Sequence, residues 1–226
     1  MEHGFISVAV DGPAGAGKST IARRAAAALG FVYVDTGAIY RTLAFAVTAA
    51  GIAPDDGDAV AAFLPRLELG MEWRDGVQHM LLGERDVTEE IRRPEISAAA
   101  SLVSAFPAVR QYLLDTQRKI AQTHHVIMDG RDIGTVVLPQ AQVKIFLTAS
   151  AEIRAQRRWK ELAAAGRPDA YEQVLAEIIE RDRRDTQRAT APLRAAEDAV
   201  ILDTSGLDLE ESVAAMLKLI REKTEE

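Results

Sequence analysis

Nine consecutive residues carry the plainest chemistry in this chain: Gly12-Pro13-Ala14-Gly15-Ala16-Gly17-Lys18-Ser19-Thr20. They satisfy G-x-x-x-x-G-K-[ST] at each fixed position and sit between an apolar run and an alanine-rich run, as a strand–loop–helix phosphate cradle requires. The glycines let the backbone wrap closely around phosphate, and the start of the following helix adds positive partial charge. Lys18 is placed to reach the β- and γ-phosphates, Ser19 to ligate Mg²⁺ and Thr20 to reach the α-phosphate. This predicts a nucleoside triphosphate site and leaves the reaction open.

Three further clusters have the types and spacing for ligand chemistry. Asp35-Thr36-Gly37-Ala38-Ile39-Tyr40-Arg41 follows a short apolar run and opens a helical one. Ligands of open α/β sheets gather at the carboxyl ends of strands. There Thr36 offers a hydroxyl, Tyr40 a ring and Arg41 a bidentate grip on phosphate; a capped helix with an exposed arginine reads the same way. Asp129-Gly130-Arg131-Asp132 follows the apolar run 126–128. Asp129 is positioned to support Mg²⁺ indirectly, with Arg131 and Asp132 offering opposite charges, unless the segment is only a salt-bridged loop. On the helical run 171–188, positions 181, 185 and 188 share a face at i, i+4 and i+7 spacing. Arg181, Asp185 and Arg188 would then present cation, carboxylate and cation to a polar ligand, or form an exposed pair worth under about 1 kcal/mol.

These groups need a scaffold, and the patterning supplies one. Apolar runs at 5–10, 31–34, 126–128, 143–148 and 199–203 alternate with helical runs at 18–29, 37–50, 94–105, 107–122, 151–165 and 171–188. Strands separated by helices predict a parallel sheet covered on both faces. Alternating Leu67, Leu69, Met71 and Trp73, a turn at Arg74-Asp75-Gly76 and two short runs beyond it predict an antiparallel meander over about 63–90. Pro94 and Pro107 suit the first turns of their helices, and Asp208-x-x-Glu211 has capping-box spacing for a final helix. Gly166-Arg167-Pro168 stops a helix and is a plausible hinge. Loss of hinging there should raise hydrolysis of a bound triphosphate by water, and an unchanged leak on changing these residues would refute that role. The adjacent His124-His125 reads as a loop pair rather than a catalytic group.

Composition removes several classes. The 226 residues fit one domain carrying an insertion. The chain has no cysteine, which excludes disulfides, thiol nucleophiles and cysteine zinc sites. The net charge of −7, from 27 basic and 34 acidic residues, argues against general nucleic-acid binding. An acidic chain with arginines crowded over 154–194 suggests a local anion site, though some must be solvated partners of Glu and Asp. No apolar run reaches the roughly 18 residues that cross a bilayer, and no leader pattern opens the chain, so a cytoplasmic protein without membrane partners is expected. The chain has no asparagine, so the N-K-x-D guanine reader of P-loop GTPases is missing.

Taken together, DGPAGAGKST, DTGAIYR, the meander, ASLVSAFPAVR, DGRDIGTVV, KIFLTAS and RDRRDTQRATAPL resemble the bacterial cytidylate kinase family over essentially the whole chain. The resemblance implies an α/β fold: a five-stranded parallel P-loop kinase core, helices on both faces, a monophosphate-binding insertion at about 36–105 with its meander, and a helical lid at about 153–170. It implies transfer of the γ-phosphoryl group of ATP, with Mg²⁺, to CMP or dCMP by a monomer. Carried over onto this chain, Arg41 and Arg131 hold the acceptor phosphate, and Ser101, Arg110, Asp132 and Arg188 surround the cytosine. Arg181 and Asp185 contact the sugar, while Arg154, Arg157 and Arg158 approach the moving phosphoryl group. Thr36 departs from the serine common in the family; its added methyl bears on sugar or base preference.

The chemistry of the acceptor agrees. A carboxylate accepts from cytosine N4 and arginines donate to N3 and O2. Uracil reverses these edges, and such mismatches reach discrimination of about 10⁴ in sites built around hydrogen bonds. A phosphate oxygen is already ionised, so no general base is required and charge neutralisation does most of the work. Kinases of UMP or of a non-nucleotide acceptor such as shikimate, and a non-catalytic nucleotide-binding module, are the alternatives.

Overall fold

Strand β1 (Ser7–Asp11) is buried along its whole length, as expected of a Val-rich strand paired on both sides. In this computed structural model, which describes residues 4–164, 166 and 169–224, β1 runs parallel to β7 (Val143–Thr148), with Val8 opposite Val143 and Asp11 opposite Phe146. β7 is in turn parallel to β8 (Val200–Asp203), from Ile145 opposite Val200 to Thr148 opposite Asp203. With β2 (Val32–Asp35) and β6 (Val126–Gly130) they form one five-stranded parallel sheet in the order β2-β6-β1-β7-β8. Three further strands, β3 (Leu69–Arg74), β4 (Val77–Leu82) and β5 (Arg85–Asp86), form a separate antiparallel sheet. The expected α/β class and meander are therefore present.

The chain divides into two bodies, one of Val32–Val126 with the segment ending at Phe5, the other of Ile6–Phe31 with Ile127–Glu226. In the second, α1 (Lys18–Leu29) buries Ile21, Ala22, Ala25 and Ala26 on one face. It packs with α8 (Leu209–Thr224). The α8 capping box is reciprocal: Glu211 N–H donates to Asp208 Oδ1 at 2.8 Å and Asp208 N–H to Glu211 Oε2 at 2.9 Å. Helices α6 (Ala151–Ala164) and α7 (Tyr171–Gln187) pack as a pair around Ala155, Leu162, Val174 and Ile178. Gly12 cannot be replaced cheaply. A Cβ there would come within 1.9 Å of the Leu147 carbonyl oxygen, and its φ of +150° disfavours any side chain.

In the first body, α2 (Thr36–Ala49) is capped by the Asp35 carboxylate, which accepts from Ala38 N–H at 2.9 Å. A short helix absent from the sequence reading, α3 (Gly57–Phe63), is capped by Asp56 in the same way. Asp75 and Gly76 both have positive φ, 51° and 76°, as a two-residue hairpin between β3 and β4 demands. The meander is anchored on β2 by polar side chains: Asp35 N–H donates to Gln78 Oε1 at 2.8 Å and Trp73 Nε1 donates to the Tyr33 carbonyl at 3.0 Å. Helices α4 (Pro94–Val103) and α5 (Pro107–Thr123) begin at the two expected prolines, and α4 lies along α2.

Three expectations need comment. Arg188 caps α7, which ends at Gln187: its N–H still donates to the Arg184 carbonyl at 3.1 Å and its φ of −62° is helical, while its ψ of 140° takes the following chain away. Its charge acts on Asp185 together with that of Arg181. The neighbouring Ala191 has φ 48°, and its carbonyl takes a hydrogen bond from Arg188 Nε at 2.6 Å, turning the chain out of the helix. His124 and His125 are exposed next to the end of α5; His124 Nδ1 lies 2.8 Å from Thr123 Oγ1, and the His125 carbonyl accepts from Val32 N–H. Of the hinge Gly166-Arg167-Pro168, Arg167 and Pro168 lie outside the described residues, while Gly166 has φ 73°.

Candidate active site

The loop between β1 and α1 begins where Gly12 turns under β7 and ends at Gly17, whose φ of 88° lets Lys18 open the helix. Gly12, Pro13 and Ala16 are buried, Ala14 and Gly17 are half-buried, and Gly15 and Thr20 are exposed. Lys18 is 6% exposed, and its Nζ donates to the Pro13 carbonyl at 2.8 Å, so the ammonium lies across its own loop. Burial first, and the charge of Arg131 second, push its pKa down to about 7, against the opposing pull of Asp129 and Asp11. Bound phosphates would oppose that loss of charge. Ser19 Oγ donates to Asp129 Oδ2 at 2.8 Å. A hydroxyl and a carboxylate oxygen so paired are hard donors of the kind Mg²⁺ takes. This contact was expected only as indirect support from Asp129.

The outside of the loop is held by two arginines of α6. Arg154 donates from Nε to the Ala149 carbonyl at 2.8 Å, from Nη1 to the Ala14 carbonyl at 3.1 Å and from Nη2 to Asp182 at 2.7 Å. Arg157 donates to the carbonyls of Ala16 (3.3 Å) and Thr204 (2.8 Å). Loop carbonyls satisfied from outside leave the loop fixed in shape. Arg158 faces solvent and pairs with Glu161 at 3.3 Å. Asp182 carried no sequence signal, since its neighbours Arg181 and Arg183 made any pairing equally plausible.

The segment after β6 gathers further charges of the same body. Arg131 Nε donates to Asp185 Oδ2 at 2.9 Å, and Arg188 Nη2 lies 3.7 Å from Asp132 Oδ1. Burial alone would raise the pKa of Asp185. The charge and hydrogen bond of Arg131, with the charges of Arg181 and Arg188, outweigh it and hold the carboxyl below its usual range. Asp132 is buried, and its carbonyl accepts from Val136 and Val137 N–H at the head of a wide turn, Ile133–Val137.

In the other body, Thr36 is buried at the start of α2 and Arg41 pairs with Asp35 at 2.8 Å. The Arg110 guanidinium lies 5.6 Å over the Tyr40 ring and donates to the Ser104 carbonyl at 3.0 Å. Ser101, half-buried on α4, gives its carbonyl to Ser104 Oγ at 3.0 Å. The partner of Arg41 was missed because Asp35 reads simply as a helix cap.

The sequence profile described as "Cytidylate kinase" matches residues 8–222. The chain belongs to the cytidylate kinase family. A cytidylate kinase of Carboxydothermus hydrogenoformans is 50% identical over 218 residues, covering 96% of this chain and 98% of the relative. One from Exiguobacterium is 48% identical over 217 residues, covering 96% and 97%. Among solved structures, an uncharacterized protein from Eubacterium ventriosum shares the fold at a TM-score of 0.51 and 10% identity, over 95% of this chain and 98% of that one. That last likeness speaks for the fold alone. The matched span includes residues of both bodies.

Proposed function

We propose that this chain transfers the γ-phosphoryl group of ATP to CMP or dCMP, yielding ADP and CDP or dCDP. The observation that carries the reading is the segment 129–132. Its first residue holds the cradle hydroxyl of Ser19 at 2.8 Å, and Arg131 and Asp132, two and three residues on, are engaged by Asp185 and Arg188. One short stretch of backbone thus serves both the donor side and the acceptor side.

The roles follow from charge and geometry. The backbone of 12–20 and Lys18 bind the triphosphate. Ser19, with Asp129 behind it, would hold Mg²⁺, which supplies charge neutralisation between the β- and γ-phosphates. Arg41 and Arg131 take the acceptor phosphate. Arg41 Nε is buried without a hydrogen-bond partner among the described residues, which leaves it a donor to offer. An ionised phosphate oxygen attacks in line through a loose transition state, so positioning and cationic charge supply the rate. Asp132 accepts from cytosine N4, with Arg188, Arg110 and Ser101 completing the base site. Arg181 and Asp185 contact the sugar, and Tyr40 and Thr36 line the acceptor site. Arg154, Arg157 and Arg158 belong to a lid over about 153–170. Arg154 and Arg157 already seat the loop, so lid movement and loop shape are linked. The chain is read as one kinase domain with its insertion at about 36–105, acting as a cytoplasmic monomer without nucleic-acid partners. Among the described residues no helix is long and apolar enough to cross a membrane.

Incubation with MgATP and CMP, followed by separation of nucleotides, tests the reaction. Equal yields of ADP and CDP are expected. ADP without CDP would reduce the chain to an ATP hydrolase.

A further inference from the structure

Asp11 is the last residue of β1 and lies directly before Gly12. It is 4% exposed, and both of its oxygens are taken: Ile133 N–H donates to Oδ1 at 2.7 Å and Gly134 N–H to Oδ2 at 2.7 Å. Those amides open the turn that follows Arg131-Asp132. The peptide unit joining Asp132 to Ile133 is therefore gripped at both ends. Its oxygen accepts from Val136 N–H at 2.8 Å and Val137 N–H at 3.1 Å, and its N–H goes to Asp11. The Asp132 side chain leaves a backbone with little freedom to tilt.

Stability alone is a poor reason for this carboxylate. Burial, aided by the nearby charge of Asp132, pushes Asp11 up to about 6, while the two amides and Lys18 pull the other way. A buried charge is commonly no better for stability than an apolar replacement. What the carboxylate does, and an apolar group could not, is accept two adjacent N–H groups at fixed places from the strand that feeds the phosphate cradle.

We infer that Asp11 is a positioning residue for the transfer, holding the Arg131-Asp132 backbone in register with the phosphate loop so that base reading and phosphoryl alignment are set by one strand end. The inference rests on the assignment of Asp132 to the base. Asparagine at position 11 has one acceptor oxygen, and its amide N–H₂ would face the second backbone N–H donor. Alanine at position 134 acts on the same link from the other side: its Cβ would sit 3.4 Å from Asp11 Oδ2 and 3.3 Å from Lys144 Cδ, so the neighbours must give slightly.

The test compares Asp11→Asn, Gly134→Ala and Asp132→Asn with the native chain. It measures kcat/KM for CMP and for UMP, binding of a non-hydrolysable ATP analogue, and Tm. Misplacement of reacting groups by about 1 Å costs on the order of 10²-fold. Asp11→Asn should thus lower kcat/KM for CMP by about that factor and reduce the CMP:UMP ratio at least about tenfold, while analogue binding changes less than about threefold. Gly134→Ala should move the ratio the same way by less. A purely structural role would lower Tm and both activities together and leave the ratio alone. An unchanged ratio in both variants, with the ratio collapsed in Asp132→Asn, overturns the role of Asp11. A ratio unchanged in Asp132→Asn as well overturns the base assignment beneath it. Should Asp11→Asn fail to fold, an unchanged ratio in Gly134→Ala suffices to reject the inference.

Discussion

The phosphate loop and the segment 129–138 both lie at carboxyl ends of neighbouring strands of one sheet, yet they are built on opposite principles. The loop takes its path from backbone conformation, with positive φ at Gly12, Gly15 and Gly17, and the Arg154 and Arg157 side chains only brace the carbonyls of Ala14 and Ala16 from outside. The segment is shaped by side chains from elsewhere: Asp11 on its amides, Asp185 on Arg131 and Arg188 beside Asp132. Backbone shaping suits a cradle that grips phosphate whatever the nucleoside, as proposed for 12–20. Side-chain shaping suits the selectivity proposed for Asp132, because each partner is a residue that can be tuned.

The largest way to sharpen this contrast is to remove charge from the loop without altering its shape. Lys18→Met should lower kcat/KM about 10³-fold or more with little change in Tm, since the ammonium acts on charge that grows in the transition state. Breaking the shape itself comes next. Gly12→Ala would drive a Cβ into the Leu147 carbonyl, and a loss of about 3 kcal/mol or more is expected in denaturant unfolding. In the other region, Asp185→Asn leaves Arg131 with a neutral partner and should cost roughly 1–3 kcal/mol at neutral pH.

That cost is pH-dependent in a defined direction. The folded-state pKa of Asp185 is lowered below its ordinary 3.8. The stabilisation from its charge is complete above that value and is lost as pH falls through the lower folded-state pKa. Unfolding curves of native and Asp185→Asn proteins should therefore converge as the solution is acidified, and a gap constant with pH would contradict the ion pair. The smallest effect belongs to the solvated side of α7. Among the described residues Arg183 pairs with exposed groups, Glu180 and Gln187. Arg183→Ala should leave Tm unchanged and kcat/KM within about twofold.

The same contrast decides what the sequence could disclose. The strand–loop–helix of 7–29 was legible because its signal is a spacing of glycines, lysine and serine along the chain. The Asp208–Glu211 capping box and the hairpin at Asp75-Gly76 were legible for the same reason: local rules act within a few residues. The hold of Asp11 on Ile133 and Gly134 was not legible, because these partners lie 122 and 123 positions away and an aspartate after an apolar strand signals only a strand end. Asp35 announced its capping of α2 but not its hold on Arg41, which depends on a rotamer. The end of α7 differs from the expected one by a single residue, Arg188, which keeps the helical N–H bond to Arg184 and leaves the helix only through its ψ. The nine arginines crowded over 154–194 could not be sorted by sequence. Among those described, burial sends Arg154 to the loop and leaves Arg183 and Arg184 to water.

Asp132 is proposed to read cytosine beside the ATP cradle. Initial rates with MgATP, for CMP and UMP, in the native chain and in Asp132→Asn, test it most directly. A native kcat/KM strongly favouring CMP, with the CMP:UMP ratio falling by about 10²-fold or more in the variant, is the expected result. A native enzyme that uses UMP as well as CMP, or a ratio that Asp132→Asn leaves unmoved, would contradict it.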